Sequence, residues 1–123
     1  MEWKLDDSRP IWPQLKEHLM RAIVSGEYAE GEAFPTVRQL AQDAGVNRNT
    51  MQRAMAELEA EGLLITNRTA GRTVTSDKER IGAIKEQLAE QNIETYLKEM
   101  TALGYTPGQA IDLMNKKGVT EIE

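Results

Sequence analysis

The chain has 123 residues, no cysteine, one histidine and a formal net charge of −5. Without cysteine there are no disulfides or thiolate metal sites, and no apolar run approaches the roughly 18 residues needed to span a bilayer. The acidic N-terminus MEWKLDDSRP lacks the basic-then-apolar layout of an export signal, so the expected location is the cytoplasm, with no membrane partner.

The charge is unevenly spread. Between Pro35 and Ala56, Arg38, Arg48 and Arg53 face Asp43 alone; between Gly62 and Ser76, Arg68 and Arg72 face no acid. A locally basic face on an acidic body is compatible with nucleic acid binding.

In chain order, Met1–Pro10 reads as extended or loosely ordered, with Trp3 and Leu5 open to two placements, an edge strand or packing on the body. Ile11–Ser25 reads as a helix: Pro13 suits the first turn, Trp12, Leu15, Leu19, Ala22 and Ile23 form its apolar stripe, and Gly26 stops it. Tyr28–Phe34 reads as a polar connection that ends by delivering Phe34 to the core.

The stretch Pro35–Gly62 carries the most information. Thr36 and Gln39 stand at capping-box spacing, ahead of the apolar positions Val37, Leu40, Ala41 and Ala44. Gly45 permits a tight turn, and Val46 plugs its corner. Asn47 can cap a second helix that buries Met51, Ala54, Met55 and Leu58, spaced i, i+3, i+4, i+7. Two helices over such a turn are a helix-turn-helix, whose second helix enters the DNA major groove. Arg48, Asn49, Thr50, Gln52 and Arg53 supply the donors and amides suited to guanine and adenine edges.

Leu63–Thr66 and Arg72–Thr75 read as strands around the turn Asn67–Gly71. The helices and this hairpin make a winged helix whose tip, Arg68–Arg72, reaches toward DNA. Asp77–Leu103 reads as a long helix with Ile81, Ile84, Leu88, Tyr96, Met100 and Leu103 on or near one side. Gly104–Pro107 breaks it. A short helix to Lys117 carries Ala110, Ile111 and Met114 inward, and Gly118 ends it. Two helices are too few for an independent core of useful size, so this stripe is expected to meet the same stripe of a second copy in a two-fold dimer, the alternative being a monomer in which it folds back on its own winged helix. The fold class is therefore mainly α with a small β-hairpin: a winged helix-turn-helix over 1–76, then a two-helix dimerisation region over 77–123.

Competing readings are weaker. His18 stands alone in a helix and reads as a surface or packing residue. Glu57, Glu59 and Glu61 read as a solvated helix end. No nucleophile setting, phosphate loop or calcium-loop spacing is present, so neither catalysis nor a metal or other cofactor is expected. Trp3, Trp12 and Tyr28 read as packing residues rather than a ligand cage. A winged helix serving only protein contacts is the alternative, but its open face would be acidic or apolar rather than polar and basic. A small-molecule effector, its identity open, has a place at a junction cleft near Tyr96, Met100 and Tyr105.

Pro10–Val74 resembles the DNA-binding domain of the GntR family of bacterial transcription regulators. The resemblance rests on Ser25–Gly26, Gly31, Phe34–Pro35, Val37–Ala41, Gly45–Met51 and Leu58 through Glu61–Gly62–Leu63. It implies DNA contacts from Arg38, from Arg48, Asn49 and Thr50, from Gln52 and Arg53, and from the wing at Gly71, to which Thr36, Arg68 and Arg72 are added from the reading above. Asn47 stands in place of the usual Ser or Thr, and Gln52 where many members carry Arg. The wing has one glycine and no Phe. The short segment after Ser76 resembles the YtrA-type subfamily, which implies a homodimer on a palindromic operator, repression, and control of transporter operons.

Overall fold

Seven elements follow one another: α1 (Ile11–Val24), α2 (Val37–Ala44), α3 (Arg48–Ala60), β1 (Leu64–Asn67), β2 (Gly71–Val74), α4 (Lys78–Ala102) and α5 (Pro107–Ile122). The structure, a computed structural model, describes residues 2–69 and 71–122; Ala70, in the expected wing tip, lies outside the described residues. The contacts divide the chain into two compact units, Met1–Lys85 and Glu86–Glu123. The first runs past Ser76 into the start of α4.

In the first unit, α1 and α2 pack on α3, and α3 on β1. Leu15, Leu19, Met51, Ala54, Met55, Leu58 and Leu63 are fully buried, and burial of their apolar surface is the main stabilising term. The local signals of the helix-turn-helix are realised. Thr36 Oγ1 accepts from the Gln39 N–H at 3.1 Å, and Gln39 Oε1 accepts from the Thr36 N–H at 2.9 Å. Gly45 takes a left-handed conformation, φ +70°, and its N–H donates to Ala41 and Gln42 carbonyls. Asn47 Oδ1 accepts from the Asn49 N–H at 2.7 Å.

β1 and β2 pair antiparallel from Leu64↔Val74 to Asn67↔Gly71. The connection Tyr28–Phe34 proves more structured than its polar composition suggests. Its end lies along β2: Gly31 N–H donates to Val74 O (2.9 Å), Val74 N–H to Glu32 O (2.9 Å) and Phe34 N–H to Arg72 O (2.8 Å), with an isolated bridge Ala33↔Thr73. The wing therefore has a third, short extended segment on its open edge.

The N-terminal segment packs on the body rather than forming a strand. The Trp3 ring stacks on His18 with centroids 4.2 Å apart, and Trp3 Nε1–H donates to Asp43 Oδ2 at 2.8 Å. Burial lowers the His18 pKa, against the negative field of Glu27. Tyr28 packs on Phe34, ring centroids 4.8 Å apart. Trp3 and Tyr28 thus sit against different neighbours.

The expectation that Glu59 and Glu61 are merely solvated is corrected. Glu61 pairs with Lys16 (3.3 Å) and Arg80 (3.1 Å), and Arg80 Nε also donates to Glu61 O. The end of α3 is thereby tied to α1 and to the first turn of α4. Gly62 follows in the left-handed conformation, φ +81°, which a glycine adopts without strain.

In the second unit, α5 is held to its own helix pair by the Tyr96 O–H, which donates to Ala110 O at 2.9 Å, and Ala110 is fully buried. Thr106 and Gln109 form a second capping box, at 2.9 and 3.1 Å. Two expectations are corrected. Gly118 does not end α5, which continues to Ile122; a helix tolerates a glycine at a cost of roughly 1 kcal/mol. The apolar stripe is also not uniform. Ile84, in the first unit, and Leu88, in the second, are buried within the single chain (1% and 5% exposed). Ile81, Tyr96 and Met100 are half-buried. Leu103, Ile111 and Met114 are exposed, together with Ile93 and Tyr105, so Ile111 and Met114 point outward where the sequence suggests inward.

Candidate nucleic-acid interface

Thr36, Arg38, Arg48, Asn49, Gln52, Gly71 and Arg72 line one open groove of about 580 Å³, walled by the starts of α2 and α3 and by the wing. Thr66 lies beside them, and no carboxylate is among the lining residues. The first residues of both helices are in the groove wall, and a helix start carries the positive end of the helix dipole, which favours an anion nearby. Gly71, φ +74°, has nothing within 4 Å of where a Cβ would stand, so the backbone there is open to a close approach.

The remaining candidates lie elsewhere. Thr50 lines a separate recess of about 490 Å³ with Trp3, Gly45 and Val46; two residues beyond Arg48, it is turned roughly 200° around the helix. Arg53 places its guanidinium over the Trp12 ring, 4.2 Å from the centroid. Arg68 is exposed on the wing.

The arginines divide into two sets. Arg9, Arg21, Arg72 and Arg80 each pair with a carboxylate. Among the described residues, no carboxylate pairs with Arg38, Arg48, Arg53 or Arg68, and these four lie in α2, α3 and the wing. Arg72 is the exception among the candidates: its Nε donates to Glu59 Oε1, which also accepts from the Thr66 hydroxyl at 2.7 Å. Burial acts to raise the Glu59 pKa. The hydrogen bonds from Arg72 and Thr66 and the charge of Arg72 outweigh it and hold the carboxyl below its ordinary value. Glu59 thus ties the recognition helix to both wing strands. Sequence reading misses it because an acid on α3 and a base on β2 have no spacing rule that relates them.

The family model described as "Bacterial regulatory proteins, gntR family" matches residues 13–74. The chain belongs to this family. It is a DNA-binding transcription regulator, and the family is one of regulators rather than enzymes. A GntR family transcriptional regulator from Listeria monocytogenes superposes with a TM-score of 0.81 at 38% identity, covering 91% of this chain and 98% of that one. The transcriptional repressor YtrA of Bacillus subtilis is 30% identical over 95 residues, 72% of this chain and 73% of that protein. The DNA-binding domain of AraR, solved in complex with operator ORX1, matches 61% of this chain and 92% of its own length, at 28% identity and a TM-score of 0.51. Among the described residues, no helix is long and apolar enough to cross a membrane.

Proposed function

We propose that this GntR regulator is a homodimeric repressor that reads a palindromic operator in the cytoplasm, on the family resemblance alone that of a transporter operon. The observation that carries the DNA contacts is the groove lined by Arg38, Arg48, Asn49 and Gln52 with no carboxylate in its wall. In this reading Arg48, Asn49 and Gln52 meet base edges. Arg38 and the N-terminus of α2 meet the backbone, and Arg68 and Gly71 add wing contacts. Repression is supported by the likeness to the transcriptional repressor YtrA, and an operator target by the AraR complex. Dimerisation through the second unit is supported by the exposed Leu103, Ile111 and Met114. Two copies would set their recognition helices about one DNA turn apart, roughly 34 Å, which makes the operator palindromic.

The test is fluorescence anisotropy on a palindrome selected from random duplexes, with a scrambled duplex as control. We expect wild type to prefer the palindrome and Arg48→Ala to lose that preference. Equal, salt-sensitive binding of both duplexes by wild type would reject the reading.

A further inference from the structure

Arg53 is exposed, has no carboxylate partner among the described residues, and lies over the Trp12 ring at 4.2 Å. We propose that Trp12 is a positioning residue for DNA binding, holding the Arg53 guanidinium ready for a backbone phosphate at the margin of the recognition helix. The proposal rests on the DNA reading above.

A guanidinium can be held in two ways, and the chain uses both. Arg72 is held by the Glu59 carboxylate, which occupies donors and offsets the charge. Arg53 is held by an aromatic face, which engages the flat side of the cation and leaves its N–H fork and its full charge available. A long arginine ordinarily loses side-chain freedom when it binds; one already seated on a ring loses less.

The position fits a phosphate rather than a base. Arg48, Asn49 and Gln52 line the groove, and Arg53 does not. The next residue after Gln52, it is turned about 100° from it around the helix. There it is anchored to the start of α1, the helix packed against α3. Trp12 is half-buried near the start of α1, and a two-torsion aromatic ring on a packed helix is a stiffer seat than the long arginine it holds.

The test is a double-mutant cycle read by anisotropy at several salt concentrations, using the operator selected above. It compares wild type, Trp12→Ala, Arg53→Ala, the double variant and Trp12→Tyr, with Arg48→Ala as the reference. We expect Arg53→Ala to lower the salt slope by about one ion. Trp12→Ala should weaken binding about two- to fivefold, as loss of an exposed cation–π contact implies, and shift the slope in the same direction. It should have no further effect in the Arg53→Ala background. Trp12→Tyr should stay near wild type.

A Trp12→Ala loss that persists undiminished in the Arg53→Ala background would overturn the proposal, because the ring would then act on the fold alone. So would an unchanged salt slope in Arg53→Ala, or a Trp12→Ala variant that binds like wild type. If Arg48→Ala loses operator preference while these variants change nothing, only this proposal fails. If wild type cannot tell the operator from a scrambled duplex, the DNA reading fails with it.

Discussion

The two units solve the problem of burial differently. In Met1–Lys85 the apolar stripes of α1, α2 and α3 cover one another, and the arginines of α2, α3 and the wing that lack carboxylate partners face outward. In Glu86–Glu123 only Leu88 and Ala110 are buried among the described hydrophobic side chains, while Ile93, Leu103, Tyr105, Ile111 and Met114 stay open. The first unit spends its exposed surface on charge and, Ile65 aside, keeps its large aliphatic side chains covered. The second leaves apolar side chains over, and such surface is what assembly uses.

The largest effect that sharpens this contrast is in the first core. Leu58 is fully buried, so Leu58→Ala should cost about 2–5 kcal/mol, read as a lower denaturation midpoint. The same truncation at Leu103, exposed within one chain and covered only by a partner copy, should lower that midpoint clearly less. If both cost alike, the contrast between units fails.

Next comes Ile111→Asp. We expect loss of the dimer in sedimentation and operator binding weakened about a hundredfold through lost avidity, with the winged unit still folded by circular dichroism. A variant that stays dimeric would place the interface elsewhere.

Arg48→Ala acts on the other kind of surface. It should cost about 1–3 kcal/mol of operator binding and leave thermal stability unchanged. Smaller still, Thr36→Ala removes one half of the capping box and should lower stability by about 1 kcal/mol, measured by chemical denaturation.

The smallest expected effect is a pH dependence at Glu59. Its folded pKa is depressed, so the stability it contributes is present above its ordinary value of 4.5 and is lost as pH falls through the lower folded value. Melting curves followed downward from pH 4.5 should therefore show a steeper loss in wild type than in Glu59→Gln. Parallel curves would mean that the tie to Arg72 and Thr66 adds nothing.

The parts legible in the sequence are those with a local cause. Thr36 and Gln39 lie three apart, Gly45 must turn left, Asn47 must cap, and Met51 to Leu58 repeat at helical spacing; each is a rule about neighbours. Helix spacing puts Asn49 and Gln52 on one stripe of α3, but it puts Arg53 there too, and Arg53 does not line the groove; that Arg38 of α2 shares the wall depends on how the two helices pack. What stayed hidden depends on distant partners. The Gly31–Phe34 segment joins the wing through backbone hydrogen bonds that its polar side chains do not announce. Arg53 meets Trp12 and Glu59 meets Arg72 only once the helices and wing are packed. Burial of Ile84 and Leu88 has the same origin: a stripe on α4 shows which side is apolar, not what already covers it. Thr106–Gln109 differs from these: it is a capping box at the same three-residue spacing as Thr36–Gln39, so its cause is local.

The most direct test compares the full palindrome with a single half-site in anisotropy and sedimentation. The account predicts two chains on the full palindrome and binding about a hundredfold weaker on the half-site. Equal affinity for both, with one chain per duplex, would contradict it.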